Sequence, residues 1–481
     1  MDPLRPRHDE ERTFESEEPS QPIDADVIDR LAAYGQEQSP APDPLAEPDP
    51  EPENPTSSPE LAVEPDPASG AVVENAAAGD VHGPAESSPA EAVPDAADVD
   101  VQLAERPASR FGRRPRAPKP KAAKERKDKR AKSLVGLKIG ASQLAAAQVV
   151  NNGAPELVEV FREPLEPGLV VSGEIRDPET LGDALKRFFE LHKLPKRGVR
   201  LGVSNNRIGV RIFEIEGVSD PQQLENAIRF RAEEVLPIPL DQTVLDFVVL
   251  DEEVRADGSE RKRVLLVVAY REVVERYLQA CRRAGLQVVG IDHEAFALLR
   301  SLEAPAERDP GDGALVAVAI GHDRTTIAVS TGRNCEFARV IDWGGWSLNV
   351  AVGRELDRAP SEVELIKRQL SFAQPTDVDG LSPDQVAKAR DGVQRALATF
   401  SRELVASLQF YQAQPGALGI GEVVLSGGTA HMDGIPQAVG ELVGVSVRLG
   451  DPFRRVKVGP KVTHEPQHGS VAVAIGLGID D

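Results

Sequence analysis

Four short stretches carry residue types that can hold a phosphate and a ribose. In GLKIGASQLA (136–145), Gly140 and Ser142 follow an apolar run, the composition of a strand that turns sharply and exposes backbone amides. AIGHD (319–323) repeats the arrangement around Gly321, and VVLSGGTAH (423–431) ends an apolar run in Ser426, Gly427 and Gly428. VELIKRQLS (363–371) spaces Glu364, Lys367, Arg368 and Ser371 at i, i+3, i+4 and i+7, one face of a helix. The plain alternative for this last stretch is a solvated helix with an internal ion pair. Other chemistries find less support. The eight histidines lack metal-ligand spacing, so no structural zinc is expected. Cys281 lies beside Arg282 and Arg283 with neither base nor orienting partner, which assigns it to packing.

The elements that must position these residues begin at Leu134, where short apolar strands alternate with amphipathic helices. PETLGDALKRFFELHKL (178–194), DPQQLENAIRFRAEEVL (220–236) and YREVVERYLQACRRAGL (270–286) read as helices. SLVGLKIGASQLAAAQVVNNG (133–153) and ALVAVAIGHDRTTIAVSTG (314–332) share one layout of strand, glycine turn and strand. A duplicated α/β fold of two lobes with a cleft between them is therefore expected. Trp343 and Trp346 read as packing at a lobe boundary, His322 and His431 as turn residues, and Asp246 as a strand residue without catalytic role.

Composition separates these lobes from what precedes them. Residues 1–105 hold 27 Asp/Glu against 4 Lys/Arg among many Pro, Ala and Ser, too little apolar surface to offset the entropy of ordering. Disorder is expected over 1–106. Within it, Val27, Ile28, Leu31 and Tyr34 fall on one helical face, either a short docking helix or chance patterning. The run at 107–132 reverses the sign, with 12 basic residues against 2 acidic. It reads as a solvated linker, a membrane-surface contact or a nucleic-acid contact; with one aromatic and no nucleic-acid module, nucleic acid is not the expected partner. Two cysteines, no apolar run of 18 residues and an N-terminus without an apolar core point to a cytosolic protein.

The order of these motifs resembles the actin-like ATPase superfamily and, within it, the PilM family of type IV pilus assembly proteins. The resemblance is carried by SGEIRDPETLGDALKRFF, AIRFRAEEVLPIPLDQTVLDFVVL, RRAGLQVVGIDHEAFALLRSL, FARVIDWGG, RELVASLQFY, VVLSGGTAHMDGI and DPF, in that order over residues 133–481. It implies an actin-like (ribonuclease-H-like) two-lobed α/β fold. The first lobe would span 133–310 with an inserted subdomain at about 207–285, the second 311–464, and a C-terminal helix within 465–481 would return to the first lobe.

The same resemblance makes the phosphate-side residues Lys138, Gly140, Ser142, Gly321, Ser426, Gly427 and Gly428 candidates for an ATP or ADP site. The spacing of Glu364, Lys367, Arg368 and Ser371 is similar to the adenosine-contacting helix of the superfamily's heat-shock chaperones. The acids that hold the magnesium water shell in such proteins are replaced by Lys138 and Ala319, and the basic residue after the first turn by Ala145 or Ala146. A lysine cannot ligate magnesium but can pair with a phosphate as a point charge. Asp323 offers either a displaced carboxylate or a turn-surface residue. The expectation is a binding platform with no catalytic residue. By resemblance its partner is the N-terminal cytoplasmic peptide of a PilN-like inner-membrane protein, and through it a PilO-like protein and the pilus motor ATPases, at the inner face of the membrane. The alternatives are a Mg-ATP-dependent actin-like switch and an FtsA-like membrane-tethered polymer; SVAVAIGLGIDD (470–481) lacks the amphipathic membrane helix the latter needs.

Overall fold

Apolar runs that end in glycine become the central strands of two sheets. The structure is a computed structural model that describes residues 133–480 apart from 236–238, 256–258, 304–309, 333, 375 and 463–467. The acidic stretch, the basic run and the helical face at 24–35 lie outside the described residues. Those described belong to one compact unit.

The first lobe opens with β1 (Ser133–Ile139), β2 (Gln143–Asn152) and β3 (Ala154–Pro164), followed by a small hairpin of β4 (Val170–Val171) and β5 (Glu174–Ile175). Helix α1 (Pro178–Leu191) starts where Asp177 accepts hydrogen bonds from the amides of Glu179 (2.9 Å) and Thr180 (3.1 Å), with Pro178 in the first turn. It buries Leu181, Leu185, Phe188 and Phe189, each worth about 1.5–3 kcal/mol. Strand β6 (Arg197–Val203) follows. An insertion then contributes β7 (Ile208–Glu216), α2 (Pro221–Val235), β8 (Thr243–Val254) and β9 (Glu260–Tyr270). Its sheet runs β7-β9-β8 and closes over its own core of Ile215, Leu224, Ile228, Ala232, Val264, Leu266 and Val268. Helix α3 (Arg271–Arg283) instead packs on α1, sending Tyr277, Ala280 and Cys281 into the first-lobe core. β10 (Gln287–His293) and α4 (Glu294–Leu302) complete the lobe.

The second lobe comprises β11 (Ala314–Ile320), β12 (Thr325–Ser330), β13 (Cys335–Ile341), α5 (Gly345–Leu356), α6 (Glu364–Gln369), α7 (Pro383–Gln412), β14 (Ile420–Ser426), α8 (Ile435–Val443) and β15 (Val447–Leu449). Trp343 stacks on Phe400 inside its core, ring centroids 4.4 Å apart, while Trp346 is partly exposed beside His322. The chain then returns to the first lobe. β16 (Lys457–Val458) adds to β3, and α9 (Ala472–Gly478) lies on β1, β2 and α4. Gly136 permits that close approach, since any side chain there would strike the Ala474 carbonyl. No helix among the described residues is long and apolar enough to cross a membrane.

The two sheets repeat one another. The first runs β10-β6-β1-β2-β3-β16 and the second β15-β14-β11-β12-β13. β1 is antiparallel to β2 and parallel to β6, and β11 is likewise antiparallel to β12 and parallel to β14. Each hairpin closes with the same bond: Gly140 N donates to Gln143 O at 3.0 Å, and Gly321 N to Arg324 O at 2.9 Å. The register pairs Lys138 with Ala145 and Gly202, and Ala319 with Thr326 and Ser426. Lys138 and Ala319 thus occupy equivalent places in the two copies.

Candidate functional site

The two glycine turns, the turn after β14 and helix α6 line a cleft of about 330 Å³ between the lobes. Lys138, Gly140, Ser142, Gly321, Glu364, Lys367, Arg368, Ser371, Gly427 and Gly428 all line it. Ser426 does not: it is fully buried at the end of β14, and its hydroxyl donates to Gly469 O at 3.1 Å, fixing the turn from behind. Gly427 has φ +89°, and a side chain there would collide with the Ile320 carbonyl, so only glycine lets this turn lie against β11.

At the base of the cleft, Lys138 Nζ donates to Glu294 Oε2 at 2.6 Å. The carboxylate, at the start of α4, is 3% exposed and neutralises most of the charge that Lys138 brings. On the opposite wall, Glu364 accepts from Lys367 Nζ (2.7 Å), Asn349 Nδ2 (2.8 Å) and Arg368 Nε (2.8 Å). Burial alone would raise the Glu364 pKa, but the bonds and charge of Lys367, with Asn349 and Arg368, hold it at about 2. Lys367 is itself buried and also donates to Gly345 O at 3.2 Å.

The reading of 364–371 as one helical face needs correction at Ser371. Helix α6 stops at Gln369 because Leu370 turns extended to enter the second-lobe core at 2% exposure. Ser371 reaches the cleft from the following turn, where its hydroxyl donates to the Asp433 carboxylate and accepts from Gln374 N at 3.2 Å.

The β11–β12 turn is fastened across the cleft to the first lobe. Asp323 Oδ2 accepts from Ser172 N at 2.7 Å, and the buried Arg324 guanidinium donates to the Ser204 carbonyl. Tyr277 donates to Gly173 O at 3.0 Å, and the Ser204 and Thr326 hydroxyls meet at 2.9 Å. Asp323 is therefore an interlobe residue. Burial lowers the pKa of His322 beside it. His431 Nε2 accepts from Gly469 N at 3.0 Å; burial, then the neighbouring His468 and Arg162, lower its pKa and favour the neutral ring.

Comparison with known proteins decides the family. The family model described as type IV pilus assembly protein PilM matches residues 136–481. The chain belongs to the PilM family. A solved PilM-PilN type IV pilus biogenesis complex contains a chain 27% identical to it, with a TM-score of 0.62, covering 73% of this chain and 98% of that one. The cell division protein FtsA of Pseudomonas aeruginosa is 25% identical over 357 residues, covering 67% of this chain and 84% of FtsA. FtsA of Escherichia coli K12 is 24% identical over 386 residues, covering 72% and 89%. The mixed α/β architecture, for which an actin-like fold is expected, matches the fold of that PilM-PilN complex chain.

Within this PilM-family cleft, three residues escape the sequence reading: Glu294, Arg162 and Arg324. Each comes from an element distant in sequence from the glycine turns or points inward from a turn that reads as surface. The segment IDHEAFALLR does carry a signal, a carboxylate at a strand-to-helix junction. At the two positions where the resemblance implies magnesium-holding acids stand an ammonium, bonded to Glu294, and an alanine. Glycine amides and cationic side chains face the same space, a composition that suits phosphate.

Proposed function

We propose that this PilM-family chain is a docking platform on the cytoplasmic face of an inner membrane. It binds the N-terminal cytoplasmic peptide of a PilN-like membrane protein and, through it, joins a PilO-like protein and the pilus motor ATPases. The observation that carries this reading is the likeness, at 27% identity and over 98% of that chain, to a protein solved in a PilM-PilN complex. Extended-peptide capture would use sheet-edge amides and apolar pockets on the first lobe and its insertion. The cleft holds ATP or ADP as a structural ligand and does not turn it over. Bound nucleotide would supply negative charge between the lobes; Glu364, Lys367 and Arg368 face its nucleoside and the glycine turns its phosphates. The basic run at 107–132 supplies a further contact to the anionic membrane surface.

The test is calorimetric titration of the full chain with a synthetic peptide of the N-terminal cytoplasmic segment of the PilN-like protein from the same genome. A saturable one-to-one isotherm is expected. Absence of binding, together with failure to co-elute with the intact partner, would overturn the platform reading. The FtsA relatives support one competing account, self-assembly into a polymer. ATP-dependent pelleting of the chain alone would favour it.

A further inference from the structure

We propose that the corner of the first lobe at residues 186–197 rests on an anionic phospholipid surface, with its basic side chains among the headgroups and Leu191 inserted between them. This rests on the membrane reading of the basic run at 107–132 given above and extends it to the folded lobe. Residues 186–197 hold five basic residues, Lys186, Arg187, Lys193, Lys196 and Arg197, against the single acid Glu190, on a chain whose net charge is −22. Glu190 pairs with Lys196 at 3.1 Å, a contact that folds the connection to β6 back on the last turn of α1. Asp183, one turn before Lys186 and Arg187, is held by Arg283 through hydrogen bonds of 3.0 and 2.9 Å. Lys186, Arg187, Lys193 and Arg197 are exposed and make no ion pair among the described residues.

Leu191 is 67% exposed, whereas Leu181, Leu185, Phe188 and Phe189 of the same helix are buried. A lone exposed leucine needs no explanation. One flanked by unpaired cations has the composition of an interfacial contact, where apolar burial and attraction to anionic lipid add. The course of the chain supplies the second argument. β1 runs parallel to β6 with Val135 opposite Val199, which sets Ser133 beside Arg197, and a side chain on Gly198 would come within 3.0 Å of Ser133 O. The basic run, which lies outside the described residues, is joined to the lobe at Ser133, so its 12 basic residues lead directly into this corner. The acidic stretch at 1–105 also offers opposite charge, yet it is joined through the run and meets that charge first. β1 leads from the corner to Gly140 at the cleft, so lipid contact at its start leaves the cleft open.

The proposal is tested by sedimenting the full chain with vesicles of phosphatidylcholine alone and of equal parts phosphatidylcholine and phosphatidylglycerol, at low salt. The native chain should pellet with the anionic vesicles only and be released by high salt. The triple variant Lys186→Gln, Arg187→Gln, Arg197→Gln should bind them about a hundredfold more weakly, about fivefold for each basic residue removed. Leu191→Gln alters no charge and should bind about tenfold more weakly. Unchanged thermal unfolding and unchanged binding of the PilN-like peptide show that both variants are folded. Native-like vesicle binding by either variant overturns the proposal and leaves the contact through the basic run standing. If the native chain pellets with neither vesicle, the membrane reading of the run fails and the proposal with it. If, in addition, the triple variant alone has a larger hydrodynamic radius than the native chain, the acidic stretch at 1–105 occupies the corner instead.

Discussion

Lys138 and Glu364 show how single side chains set the character of the cleft. An acid at position 138 would face Glu294 carboxylate to carboxylate; the lysine turns that contact into an ion pair at 2.6 Å. Glu364, held at about 2 against an ordinary value of 4.5, contributes stability that is fully present above pH 4.5 and is lost as pH falls toward 2. Acid titration followed by tryptophan fluorescence, Trp346 lying on the helix beside this wall, should show a transition in that window that Glu364→Gln abolishes. At pH 7 the same variant leaves the buried Lys367 without its carboxylate and should cost about 2 kcal/mol in urea unfolding, a figure discounted for the partial exposure of Glu364. The cysteines give a simpler test. Burial pushes both the Cys281 and Cys335 thiols up to about 12, so neither should react with a thiol reagent at pH 8 until denaturant is added. Rapid labelling of the folded chain would contradict their core placement.

At the scale of elements, the β11–β12 turn and the β4–β5 hairpin form the clasp between the lobes. Gly173, at φ +71°, has no space for a side chain because the Arg324 guanidinium fills it. Arg324→Ala should therefore loosen the junction, with a loss of about 3 kcal/mol and faster amide exchange confined first to residues 170–175. Uniform protection after that substitution would mean the clasp is not a separate element. Much of this level is legible in the sequence. The paired openings around Gly140 and Gly321 announce themselves because a buried run ending in glycine is local, and helix α1 because Asp177-Pro178 caps an apolar period of 3.6. What lies across strands is not legible. The row Lys138, Ala145 and Arg162 depends on register, and the inward course of Arg324 on a hairpin from the other lobe. Ser371 fails for a related reason, since Leu370 is recruited by the core in an extended conformation and the helix ends at Gln369.

For the whole molecule, the duplicated sheets give two arms around a cleft, and the shared cluster of α4, β11, β12 and α9 side chains ties those arms together. On the proposed platform reading, that joint holds a presenting surface and no hydrolysis cycle works it. The most direct measurement is phosphate release by the full chain given Mg-ATP, with and without the PilN-like partner's cytoplasmic peptide. Complex formation with release no faster than from buffer alone is expected in both cases. Sustained multiple-turnover release, particularly if the peptide accelerates it, would contradict the account and make the cleft a working ATPase.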